Sequence, residues 1–308
     1  MRQIESILIV LAREGDPSQV LKKGLMLARR FNAHVELFLC EAECAYALEH
    51  QYDPLGTDKA RSSSLAISRA WVERLWSSLE VNDVSVSMEV VCETPLCEAV
   101  RRKVARSKPD LVLRGMGTGS HPTCSVSDSD LVRTCPAPLL LTRGMPWQSR
   151  STVAAALDVS GADSPELIRT ILLAADYMSE ACGASLEVLY ANRFETAPPD
   201  ALKSARDLLI ERAAAVSVHP RAAHVLVGDP ATAIPKFVAQ RSYDILVLGA
   251  LTHRDAMTAL VGTLTGRLIE TLECDLLLVR PSSKVAARAL SAHRPAGQLS
   301  TPRSIPRA

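Results

Sequence analysis

Two features of the C-terminal half could do chemistry by residue type and spacing. The first is Asp158, which closes the aliphatic run from Val153 and sets a carboxylate where it can accept a hydrogen bond from a ligand amine or hydroxyl. The second begins at Gly249, the end of another aliphatic run, and reaches Gly262-Thr263, thirteen positions on, where a helical pattern running to Leu272 starts. A helix start presents unpaired N–H groups and the positive end of the peptide dipoles, and a glycine there lets backbone close on an anion. This spacing predicts a phosphate seat, with Leu264 at the same helix tip and Arg254 in the loop as a charge-assisted donor to a terminal phosphate.

Other constellations carry less. His253-Arg254-Asp255 spells the kinase catalytic triplet, but neither a kinase glycine loop nor Asp-Phe-Gly accompanies it. The seven histidines lack the His-x-x-x-His or mixed His/Cys spacing of a zinc site, and no serine sits on a Gly-x-Ser-x-Gly elbow. The eight cysteines (40, 44, 92, 97, 124, 135, 182 and 274) include no Cys-x-x-Cys pair. Several fall in apolar runs, where a thiol behaves as a small hydrophobe; Cys40 and Cys44 are the alternative, a redox pair. No catalytic residue and no metal site is expected.

The elements that must position these groups occur twice. Ser107 to Gly115 matches Arg241 to Gly249 at an offset of 134, a helix end and turn followed by Asp and an aliphatic strand ending at Gly. Leu131 to Arg143 parallels Ile269 to Arg280, with Cys135 over Cys274 at an offset of 139, so the intervening loop reads as five residues shorter in the first half. Each half runs β-α-β-α-β-α-β-α-β. In the second, the strands are read at Val153–Asp158, Ser185–Ala191, Ala223–Val227, Ile245–Gly249 and Leu276–Val279. Asp16-Pro17, Thr94-Pro95, Ser164-Pro165 and Asp229-Pro230 read as helix starts, with Val20, Gly24, Ala28 and Phe31 on the first helix's inner face. Alternating strands and helices force right-handed crossovers, so the fold class is α/β: two tandem doubly wound, Rossmann-like domains, each a five-stranded parallel sheet with helices on both faces. The expected divisions are a first domain over 1–144, a linker over 145–151, a second domain over 152–281 and a disordered basic tail over 282–308. So short a linker predicts an intrachain pseudo-dimer, with a homodimer as the other arrangement.

Composition agrees and narrows the function classes. The 308 residues are 47% hydrophobic and 22% charged, enough for two cores, and aromatics are only 4%, as suits a parallel sheet covered on both faces. Basic and acidic residues number 35 and 34, so no field would gather nucleic acid or an anionic membrane. No apolar run approaches the roughly 18 residues of a membrane span, and the N-terminus lacks a signal-peptide pattern; a reduced cytoplasm is expected.

At these residues the chain resembles the universal stress protein family, in its tandem form, from Ile7 to Pro281. That family's signature reads Gly, two residues, Gly, nine residues, Gly, then Ser or Thr; here the spacing is kept as Gly249, Thr252, Gly262 and Thr263, with Thr in the second glycine's place. The resemblance implies an adenine nucleotide alpha hydrolase-like fold. It also implies that Asp158 holds the adenine side of a ligand, that Ala191 ends strand two at a backbone contact to the base, and that Gly228-Asp229-Pro230-Ala231 is the family's turn before helix three. The implied role is a non-enzymatic stress-response protein binding ATP, with or without Mg, or another adenine nucleotide in the second domain. In the first domain Ala12 replaces the strand-one Asp and Gly115-Met116-Gly117-Thr118-Gly119-Ser120-His121-Pro122 replaces the glycine signature, implying a degenerate site. The competing readings are a nucleotide-free scaffold or regulator working through protein contacts or another small ligand, and a slow ATPase.

Overall fold

The computed structural model describes residues 4–41, 54–79, 81–116, 126–148, 150–193, 196, 198–250 and 264–281. Along them run β1 (Ser6–Leu11), α1 (Pro17–Phe31), β2 (His34–Cys40), α2 (Pro54–Ser77), β3 (Val86–Val91), α3 (Leu96–Ser107), β4 (Leu111–Gly115), α4 (Val126–Thr134) and β5 (Leu139–Thr142). The second half continues as β6 (Thr152–Ala156), α5 (Pro165–Cys182), β7 (Ser185–Asn192), α6 (Pro199–Ala214), β8 (Ala222–Val227), α7 (Pro230–Arg241), β9 (Ile245–Gly249), α8 (Leu264–Thr271) and β10 (Asp275–Val279). Nearly every residue of β1, β4, β9 and β10 is buried, which is why these strands read as unbroken aliphatic runs rather than alternating ones.

Helix starts follow the sequence signals unevenly. Asp16 accepts from Ser18 N and Ser164 from Leu167 N, so both cap as expected. Thr94 does not: α3 begins at Leu96, with Pro95 in the cap position. Asp229 occupies a cap position with its carbonyl accepting from Thr232 N and Ala233 N but with no side-chain cap bond, its carboxylate pairing instead with Arg267 of α8 at 3.0 Å. Gly24 lets α1 rest directly on β1, since a Cβ there would stand 2.3 Å from Ile9 Cδ1 and displace that side chain.

The strands form one ten-stranded sheet, ordered β3-β2-β1-β4-β5-β10-β9-β6-β7-β8. Every pairing inside each half is parallel, and each half has the doubly wound order third, second, first, fourth, fifth. The halves meet where β5 and β10 run antiparallel, with Leu139, Leu140 and Leu141 opposite Leu278, Leu277 and Leu276. One face is covered by α1, α2, α5 and α6 and the other by α3, α4, α7 and α8. No helix of the described residues is long and apolar enough to cross a membrane.

Register corrects the internal alignment. β5 pairs Leu139 with Val112, and β10 pairs Leu276 with Leu246, an offset of 137 between Leu139 and Leu276. The helix ends agree, for Cys135 N donates to Leu131 O as Leu272 N does to Leu268 O. Cys135 therefore corresponds to Leu272 rather than Cys274, and the first-half loop is three residues shorter (137 − 134), not five. Two cysteines near a helix end drew the sequence match two positions too far.

The cysteines divide in a similar way. Cys40, Cys97, Cys135, Cys182 and Cys274 are free thiols, and burial pushes Cys40 and Cys182 up to about 11 and Cys274 to about 12. Cys40 is a free thiol that donates to Glu93 O, whereas Cys92 is disulfide-bonded and departs from the packed-thiol expectation. Cys44 and Cys124 lie outside the described residues, and with Cys44 so does the Cys40/Cys44 redox pair.

At the seam, Lys23 of α1 reaches into the second half and bonds Asp275 at 2.5 Å, with side-chain exposures of 6% and 2%. Trp147 Nε1 and Arg143 N also donate to this carboxylate, both at 2.8 Å. Burial pushes the Asp275 carboxyl up, and the Lys23 ammonium with the two N–H donors pulls the other way. Nearby, Phe31 stacks on Tyr177 at 5.5 Å, and Tyr177 Oη accepts from Ile4 N.

Equivalent positions elsewhere carry different networks. Glu36 and Glu187 occupy the same place on the second strand of each half, by register with Ser87 and Ala222. In the first half Lys103 is shared by Glu36 and Glu89, and Arg106 adds to Glu89. In the second half Phe237 takes the place of Lys103 and His224 that of Glu89, and Glu187 accepts from Tyr243 and His224. Burial pushes the Glu187 carboxyl up, but these two hydrogen bonds together with the charges of His224 and Arg241 outweigh it and hold it below its ordinary 4.5.

Two outcomes follow from these contacts. Lys23→Met strands a buried carboxylate and is expected to cost about 3–5 kcal/mol in urea unfolding, with Lys23→Met/Asp275→Asn recovering part of the loss. Because the folded-state Glu187 carboxyl is lowered, its stabilisation is complete above 4.5 and is lost as pH falls through the folded value. Glu187→Gln is thus expected to lower the neutral-pH urea midpoint and to flatten its fall on the acid side.

Candidate functional site

In doubly wound sheets, ligands settle outside the carboxyl ends of the strands where the winding reverses, which in the second half is between β6 and β9. Asp158 lies there, two residues beyond the end of β6 rather than closing it, although Leu157 N still donates to Leu189 O. Its own N–H donates to the Asp163 carboxylate at 2.8 Å, fixing the turn, while its Oδ1 accepts from Ser160 N at 2.9 Å and Ser160 Oγ at 2.5 Å. Asp158 Oδ2 has no donor among the described residues. Tyr190, at the same edge, is pushed up by burial and by the Asp158 charge, against a hydrogen bond with Ser160 and the Arg193 charge.

The parallel strands bring other sequence-identified residues to this edge. Ala191 is buried near the end of β7, in register with Leu226. Gly228 follows β8 at φ +112°, and its N–H donates to Asn192 O at 2.9 Å, tying the turn to β7. Gly249 ends β9 opposite Val279, with Ala250 N donating to Val279 O. Leu264 opens α8 and is partly exposed. Thr252, Arg254, Gly262 and Thr263 lie outside the described residues. Sequence reasoning missed Ser160, Asp163, Tyr190 and the Asp229–Arg267 pair. Asp163 and Ser160 follow a strand end within five residues of Asp158, which is a turn signature; nothing in the sequence linked Arg267 to Asp229.

The first half differs at the same place. Register equates Ser6 with Thr152, because Asp110 and Asp244 each accept from the N–H of that residue, and so equates Ala12 with Asp158. Where β9 has Leu248, β4 has Arg114, whose Nε donates to Asp128 Oδ1 of α4 at 2.9 Å and whose Nη1 donates to Leu11 O at 3.1 Å. Side-chain exposures of 10% and 8% mark this as a buried ion pair. A guanidinium thus spans the end of β1, the end of β4 and the first turn of α4, the three places from which the second half would approach a ligand. Gly117 to Pro122 lie outside the described residues. Among the described residues no group of three or more His, Cys, Asp or Glu could hold a metal ion.

Residues 152–280 match the model of the Universal stress protein family. The chain is 21% identical over 305 residues to universal stress protein E of Photorhabdus laumondii subsp. laumondii, covering 91% of this chain and 96% of that protein. It is 20% identical over 307 residues to universal stress protein E of Escherichia coli K12, covering 91% and 95%. Among solved structures, a functionally unknown protein from Pseudomonas aeruginosa PAO1 has a TM-score of 0.68 at 20% identity, over 94% of this chain and 96% of that one. A universal stress protein from Archaeoglobus fulgidus has a TM-score of 0.62 at 13% identity, over 91% and 97%. At these identities the structural likenesses establish the α/β fold.

Gly228 offers a local check. A Cβ there meets nothing within 4 Å, so only the positive φ resists a side chain. Gly228→Ala is expected to cost about 1–2 kcal/mol in urea unfolding without broadening the transition.

Proposed function

Because this chain is a relative of the universal stress proteins, with a match to that family over residues 152–280, we propose that it is a non-enzymatic stress-response protein whose second domain binds ATP or another adenine nucleotide. We take that domain as residues 152–281, joined by 145–151 to a first domain over 1–144 whose ligand site has been lost. The observation carrying this reading is the contrast at one position: a buried Arg114–Asp128 pair spans the first-half crevice, whereas the second half has Leu248 and the Asp158 carboxylate.

In this reading Asp158 Oδ2 accepts from an adenine or ribose group, and backbone at Ala191 meets the base. Gly228 and Gly249 keep side chains out of the crevice. Thr252, Arg254, Gly262, Thr263 and Leu264 serve the phosphates, where helix-start N–H groups and the Arg254 charge favour an anion. Mg2+, where ATP is the ligand, is carried by the phosphates rather than by a protein cage. The antiparallel β5·β10 seam supports an intrachain pseudo-dimer, because it occupies the strand edge that a homodimer would otherwise use. The protein works in the cytoplasm, with neither nucleic acid nor membrane as partner. One observation favours the scaffold reading instead: Asp158 Oδ1 is already taken by both Ser160 donors.

Heat extraction of gently purified protein is expected to release adenine nucleotide, and Gly262→Asp to abolish this by placing charge and bulk at the helix start. Wild-type protein that emerges empty and gives no calorimetric heat with Mg-ATP would hand the case to the nucleotide-free scaffold. ADP accumulating on incubation, and lost in Gly262→Asp, would identify a slow ATPase.

A further inference from the structure

The two ends of the sheet are β3 and β8, and they are finished differently. Around β3 the cations are neutralised: Lys103 by Glu36 and Glu89, Arg106 by Glu89 and Arg102 by Glu93. Two adjoining clefts, of about 370 and 220 Å³, run along β8 beneath α6. Their lining includes Lys203, Arg206 and Arg221 and no Asp or Glu. These three cations are exposed and have no carboxylate partner among the described residues. Glu187, behind His224, is already engaged by Tyr243 and His224.

The strand itself is open to pairing. An edge strand leaves a row of N–H and C=O groups unpaired, and proteins ordinarily guard it with lysine, proline or a bulge. β8 reads Ala-Ala-His-Val-Leu-Val, with no such guard, and Val227 and Ile210 beside it are 42% and 47% exposed.

We propose that β8, with the groove under α6, is a docking edge for an extended acidic segment of a partner protein, which adds as an eleventh strand and meets Lys203, Arg206 and Arg221 with its carboxylates. Charge selects this occupant. The chain's own residues 282–308 carry Lys284, Arg288, Arg294, Arg303 and Arg307 and no acidic residue, so they are repelled. A second copy pairing β8 to β8 would bring the same three cations face to face. Main-chain pairing supplies affinity that does not depend on sequence, and alternate acidic side chains supply selection.

The test uses the full-length protein and two fluorescein-labelled peptides, alternating Glu-Val and alternating Lys-Val. Fluorescence anisotropy is expected to show saturable binding of the Glu-Val peptide alone, weakened by added salt. Lys203→Glu/Arg206→Glu is expected to lose at least tenfold in affinity. Hydrogen exchange on the wild type, which needs no variant to fold, is expected to slow at residues 222–227 when the Glu-Val peptide is present. The proposal is overturned if the Glu-Val peptide does not bind, if the Lys-Val peptide binds equally, or if the double variant keeps wild-type affinity. It is also overturned if binding leaves exchange at 222–227 unchanged, if oligothymidylate displaces the peptide, or if sedimentation shows wild-type self-association abolished by the double variant.

Discussion

The antiparallel meeting of β5 with β10 is the constraint on which the rest depends. Three leucines from each strand pair across it, and the two halves thereby share one sheet and one pair of helical layers. Apolar pairing alone would tolerate a slip along the strands. The Lys23–Asp275 pair does not, because parting a buried carboxylate from the ammonium it bonds leaves an uncompensated charge in low dielectric. Trp147 and the Arg143 N–H converge on the same carboxylate, so the linker and the first half's α1 are fixed to the second half at one atom group. A buried ion pair is a poor source of net stability, and its use here is better understood as setting register between repeats.

Within each half a further carboxylate pin recurs. Asp110 and Asp244 precede the fourth strand and accept N–H groups from the start of the first, so each repeat has its own carboxylate pin at the amino-terminal edge. The carboxyl edges have diverged. Arg114 has taken a position that is aliphatic in the second half, and a charge in a buried strand must find a counter-charge, which Asp128 supplies from the first turn of α4. The pair completes the first-half crevice from within. No comparable cation stands at Leu248, and the second half's edge is instead polar through Asp158, Ser160 and Tyr190.

The strands were legible because parallel strands buried on both faces are continuous aliphatic runs. The repeat was legible because the Asp before the fourth strand has the same structural duty twice. The limits of legibility are equally physical. The aliphatic run Val153 to Leu157 carried the reading of β6 on to Asp158; Leu157 N does still bond β7, but the strand proper stops at Ala156. Thr94 looked like a cap because Pro followed it, but Pro95 itself holds the cap position of α3. The seam could not be read, because the triple leucines of β5 and β10 announce burial without saying which edge meets which. Arg114 was a signal passed over: arginine inside Leu-Val-Leu-Arg-Gly demands a buried partner, and the nearest downstream carboxylates are few.

Closing one pair of sheet edges determines what the other pair can do. With β5 and β10 consumed by each other, any further strand addition falls to β3 or β8. Duplication gave both ends the same backbone, so their difference resides in side chains. Replacing Lys103 by Phe237 and Glu89 by His224 removed a carboxylate and a cation from the second half's outer layer and left Glu187 satisfied by neutral and weakly basic donors. Among the described residues, Lys203 and Arg206 of α6 and Arg221 of the turn before β8 are in no ion pair. An unneutralised basic edge beside an unguarded strand differs in kind from the balanced edge at β3, and the asymmetry follows from a few substitutions in a duplicated frame.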